Sequence, residues 1–102
     1  MERRVIERIP VNLYVRFYHS RLSYTGIVSN LSKNGMCIET KKHFPLNSIL
    51  EILVLASGES LKVLVTVTAS RLIENGHMFY GLGTEIVERP TNYKKIVDSF
   101  RV

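Results

Sequence analysis

Leu61-Lys62-Val63-Leu64-Val65-Thr66-Val67-Thr68-Ala69-Ser70-Arg71-Leu72-Ile73 is the longest alternating stretch of the chain. Leu61, Val63, Val65, Val67 and Ala69 fall on one side; Lys62, Thr66, Thr68 and Ser70 fall on the other. Period two with β-branched residues predicts a strand with one face on a core. Asn75-Gly76 follows, a strong hairpin signal because both central residues of a type I′ turn need positive φ. The returning strand is therefore Met78–Val87, with Gly81 and Gly83 inside it. Glycines there weaken a strand and mark a bulge, a bend, or a place where something approaches the backbone.

The same pattern extends outward from this hairpin. Upstream lies the apolar run Ile49–Leu55, introduced by Pro45 and Asn47 and ended by the turn pair Ser57-Gly58. Val11–Tyr18 alternates, with Val11, Leu13, Val15 and Phe17 on one face. Tyr24–Ser29 and Met36–Thr40 are shorter strands, joined by the polar connection Asn30–Gly35. After Pro90, Tyr93, Ile96, Val97 and Phe100 form an i, i+3, i+4, i+7 stripe on a helix. These elements predict an all-β fold with a C-terminal α-helix: a six-stranded antiparallel β-barrel or a closed sandwich, whose closure removes exposed edges. The expected organisation is one domain over 1–102: an N-terminal arm over 1–10, the barrel over 11–88 and the helix over 90–101.

At 102 residues, 45% hydrophobic and 23% charged, the composition is that of one globular domain. The net charge of +5 suits an anionic partner as well as plain solubility. Cys37 is the single cysteine, so no disulfide forms within the chain; in a strand it reads as a small core hydrophobe. No run of apolar residues is long enough to span a bilayer. The start lacks the apolar segment of a secretory signal, so the cytoplasm is the expected compartment. His19, His43 and His77 are scattered, with no metal-ligand spacing. No nucleophile or phosphate-loop motif is present. No catalysis, metal or cofactor is expected.

Two segments stand apart from the fold-building residues. Arg4 and Arg8, four positions apart with Arg3 directly before them, lie just ahead of the first strand. Guanidinium groups so spaced can close on one anion, make forked bonds to phosphate or to the O6/N7 edge of guanine, and stack on a base. Alone, the segment reads as a solvated basic terminus. Asn30-Leu31-Ser32-Lys33-Asn34-Gly35 offers an amide, a hydroxyl and an uncovered backbone. Alone, it reads as a turn whose Asn34-Gly35 pair calls for positive φ and whose Asn30 and Ser32 make local bonds.

Together, Arg-x-x-x-Arg before the first strand and Asn-x-Ser-x-x-Gly between the second and third resemble the two-part signature of the PilZ family. The resemblance runs from Arg3 to about Phe100. It implies a receptor for cyclic di-GMP, a ring of two guanosines joined by two phosphates. Arg4 and Arg8 would hold phosphate and the Hoogsteen edge or face of guanine. Asn30 and Ser32 would meet the other guanine edge, and Gly35 would keep the site floor clear. Arg3 would accompany a self-stacked pair of ligands, with Glu2 and Glu7 competing for the same arginines. Ligand would pin the arm across the barrel, at an ordering cost of roughly 1–2 kcal/mol per residue, and the signal would pass to a separate effector protein. Two other readings stay open: a PilZ-type adaptor that has lost ligand binding, and a basic barrel binding single-stranded nucleic acid through Tyr14, Arg16 and Tyr18. Nucleic acid is the lesser expectation as a partner, and no membrane insertion is expected.

Overall fold

The computed structural model describes residues 7–56, 58–74 and 78–101. Its elements are β1 (Ile9–His19), β2 (Leu22–Leu31), β3 (Gly35–Thr40), β4 (Ile49–Ala56), β5 (Glu59–Glu74), β6 (Met78–Glu88) and α1 (Tyr93–Ser99). The strands close into an antiparallel barrel in the order β1-β2-β3-β6-β5-β4. The last seam, β1 to β4, is short: Arg16 opposite Leu53, Phe17 opposite Ile52 and Tyr18 opposite Glu51.

Alternation built this core where the sequence indicated. Val63, Val65 and Val67 are fully buried, with Phe17, Val28, Ile38, Ile52 and Leu82 facing them. At Ala69 the expectation fails. Val67 pairs with Thr84 and Ala69 with Gly83, which leaves Thr68 as an extra residue in β5. A bulge of this kind shifts every later side chain to the other face. Ala69 therefore stands outside, while Ser70 pairs with buried Leu82 and has its hydroxyl oxygen buried without a partner. Cys37 is corrected as well. It lies between buried Met36 and Ile38, so it faces outward and is half-buried on the surface instead of in the core.

The barrel starts earlier than the alternation of 11–18 suggests. Ile9 pairs with Leu31 and both are buried, so Ile9 and Pro10 belong to β1 and not to an arm. A second bulge, between Pro10 and Leu13, separates this start from the regular ladder and hid it from a simple period-two reading. The β1–β2 hairpin turns on Ser20 and Arg21 with φ of 52° and 70°, left-handed values without the usual Asn or Gly. Asn75 and Gly76, the hairpin signal between β5 and β6, lie outside the described residues.

Helix α1 buries Tyr93, Ile96 and Val97, as the stripe predicted. These side chains belong to the same core cluster as Ile9 and Leu31. The Tyr93 hydroxyl donates to the Ser32 carbonyl at 2.8 Å. Burial pushes its pKa up to about 12, with the nearby Arg89 guanidinium pulling the other way.

Candidate functional site

Two halves of the signature meet at Arg8. Because Ile9 turns inward, Arg8 is left on the outer face beside the end of β2. Its Nη1 donates to Asn30 Oδ1 at 3.2 Å and to Cys37 Sγ at 3.3 Å. Asn30 and Cys37 are themselves partners across the β2–β3 ladder. These bonds are solvent-exposed, so they position the arginine without contributing much to folding. A guanidinium has five N–H donors, and most of this fork remains available.

The rest of the second motif is turned toward the protein. Ser32 is buried, and its Oγ accepts the backbone N–H of Asn34 and of Gly35, each at 3.2 Å. Ser32 N–H also bonds the Gly35 carbonyl at 2.9 Å. The hydroxyl thus closes the turn itself, as serine does in such loops. Gly35 sits opposite Glu85 in the β3–β6 ladder. A Cβ there would lie on the Thr84 carbonyl oxygen and 3.0 Å from the Thr84 carbonyl carbon. Gly35 has no positive φ, since Gly58 alone among the described glycines does. The glycine is required by close backbone packing, and the φ-based reason given for it does not hold. Arg3 and Arg4 lie outside the described residues.

Two grooves flank Arg8. One, of about 490 Å³, runs past Ser32, Asn34, Thr84 and Arg89. The other, of about 470 Å³, runs past Asn30, Cys37, Arg71, Gly81 and Gly83. Arg89 Nη2 donates to Asn34 Oδ1 at 3.2 Å, bringing a second guanidinium to the same end of the barrel. Neither Arg71 nor Arg89 is marked by a sequence motif; only strand register and the fold of the chain after β6 bring them here. Glu7, expected to compete for the nearby arginines, pairs instead with Arg101 at 3.0 Å. That contact links the residue before Arg8 to the end of the helix. Tyr14 and Arg16 line a separate groove of about 630 Å³ with Lys41 and Lys42, while Tyr18 is half-buried.

The family model for the PilZ domain matches residues 2–100. The chain belongs to the PilZ family. PilZ domains are generally non-catalytic receptors. Three solved structures illustrate the shared fold. The PilZ domain of YcgR from Escherichia coli, solved with c-di-GMP, superposes with a TM-score of 0.74 at 14% identity, covering 97% of this chain and 92% of that one. The K. pneumonia MrkH–c-di-GMP complex gives 0.74 at 15% identity, covering 97% and 51%. The Bacillus subtilis inhibitor of motility MotI/DgrA gives 0.75 at 12% identity, covering 97% and 49%. This chain thus spans about half the length of MrkH and MotI, and at these identities the likeness is one of fold. No curated protein sequence matches it. Among the described residues no helix is long and apolar enough to cross a membrane.

Proposed function

We propose that this PilZ domain binds cyclic di-GMP and passes the signal to a separate effector protein in the cytoplasm, with no reaction of its own. The observation that carries the reading is the Arg8–Asn30 hydrogen bond at 3.2 Å. It joins two signature residues that lie 22 positions apart in the chain at the mouth of grooves lined with arginine. A cyclic dinucleotide presents two phosphates and two guanine edges, which need forked donors and neutral polar groups. Arg8 and Asn30 offer both from one place. In this reading Arg3 and Arg4 close over the ligand with Arg8, while Ser32 and Gly35 act by holding the turn that follows Asn30. The Glu7–Arg101 pair gives the arm a contact through which its movement reaches α1.

The test is calorimetric titration of the full chain with cyclic di-GMP, GTP, linear diguanylate and a single-stranded oligonucleotide. Saturable binding of cyclic di-GMP, far tighter than the other three, is expected. The same titration reports stoichiometry: two ligands per chain, falling toward one in Arg3→Leu, is the outcome for a stacked pair. No heat and no competition at hundred-micromolar cyclic di-GMP would leave an adaptor without ligand. Preferential binding of the oligonucleotide would instead favour the Tyr14–Arg16 face.

A further inference from the structure

β6 carries Gly81 and Gly83 on its outer face, with Leu82 buried between them. Glycine inside a strand packs nothing and lowers stability by roughly 0.5–1 kcal/mol against alanine, so two in alternate positions weaken β6 without serving its ladder. Neither is forced by backbone contact. A Cβ at Gly81 would meet the Ile73 Cδ1 tip at 3.0 Å, and one at Gly83 would meet Ala69 Cβ at 3.3 Å. What the glycines create is a strip without side chains of its own, touched by the Ile73 tip and Ala69, in the 470 Å³ groove that Arg8 and Asn30 line.

Strand register furnishes the walls. Gly81 pairs with Glu39 on one side and with Arg71 on the other. The two flanking Cα atoms are thus two strand spacings apart, roughly 9.5 Å. Both side chains are exposed, both line this groove, and among the described residues neither makes an ion pair. A guanidinium and a carboxylate flank a floor on which the flexible tip of Ile73 rests, and a ligand ring would have to turn that tip aside.

We infer that the Gly81–Gly83 strip seats one guanine ring of the ligand between Arg71 and Glu39, and that this pair selects guanine over adenine. The inference rests on the cyclic di-GMP reading. Guanine has acceptors at O6 and N7, which match the fork of Arg71. Its N1–H and N2–H₂ donors match an acceptor-only carboxylate. Adenine reverses the key groups: its N6–H₂ donor would face the guanidinium and its N1 acceptor the carboxylate. The glycines allow the ring to lie on the backbone, which any side chain at 81 would lift away.

The experiment is titration of the full-length chain and of R71A, R71K, E39Q and G81A with cyclic di-GMP and cyclic di-AMP, beside thermal melts. The wild type is expected to prefer cyclic di-GMP by a hundredfold or more. R71A should lose about tenfold to a hundredfold in cyclic di-GMP affinity at an unchanged melting temperature. R71K should recover little, because an ammonium cannot make the fork. E39Q should narrow the preference for cyclic di-GMP over cyclic di-AMP, and G81A should weaken binding several-fold while folding normally. Should R71A melt far lower, R71K and E39Q decide the matter. A wild type that binds, with variants that match it in affinity and preference, overturns this inference and leaves the proposed function standing. A wild type that does not bind cyclic di-GMP overturns both.

Discussion

Gly35 and Gly81 are both glycines in strands that border the same site, yet they serve different links of the chain from sequence to function. At Gly35 the β3 backbone lies so close to Thr84 that a methyl group would fall on a carbonyl oxygen. The surrounding groups are buried and mutually bonded: the Ser32 hydroxyl, the Gly35 and Ser32 carbonyls, and the Tyr93 phenol. At Gly81 the nearest atom is the tip of a flexible isoleucine, and the space beyond it is open groove. One glycine permits the barrel to close up; the other keeps part of its surface bare. A motif glycine can therefore be required by folding alone, while an unremarked one lies in the groove that Arg8 and Asn30 line.

Substitutions should separate the two regions. Gly35→Ala carries the largest expected effect: about 3 kcal/mol or more of stability, because β3 and β6 must part to admit a methyl against backbone. A melting temperature within a few degrees of wild type would erase the contrast with Gly81. Next is Tyr93→Phe, expected to cost about 1–2 kcal/mol by leaving the Ser32 carbonyl without its donor. Its pH dependence is the sharper readout. The folded phenol titrates near 12, raised by burial from 10.0. The stability tied to its proton is fully present below about pH 10 and is lost as pH rises from 10 to 12. Over that window the wild type should lose up to about 2–3 kcal/mol that Tyr93→Phe does not. Urea unfolding at pH 8, 10 and 11.5 measures the difference.

The smallest expected effect on folding belongs to Arg8→Ala, below about 0.5 kcal/mol, since both its hydrogen bonds are exposed. Its effect on ligand should be the reverse, a tenfold to hundredfold loss of cyclic di-GMP affinity. A large fall in melting temperature with unchanged affinity would place Arg8 with Gly35, among the residues that build the barrel.

The sequence by itself determined the architecture. Alternation in 11–18 and 61–73, and the stripe from Tyr93 to Phe100, specify which faces are apolar, and hydrophobic burial then calls for a closed barrel or sandwich with a docked helix; the β1–β4 seam makes it a barrel. That Arg8 and Asn30 share one site was implied only by the resemblance of the two motifs to the PilZ signature; their hydrogen bond came from the structure. Tertiary structure decided the exceptions. The bulge at Thr68 turned Ala69 out and Ser70 in, since one extra residue inverts a period-two pattern and no local composition announces it. The burial of Ile9 depended on Leu31, a partner contributed by another strand. Of the two readings of Ser32, local turn bonds or a ligand donor, the structure shows the turn bonds, with the N–H groups of Asn34 and Gly35 on its oxygen. Arg71 and Glu39 became a facing pair only through Gly81, because register between β3, β6 and β5 is set by pairing across the sheet and not by spacing along the chain.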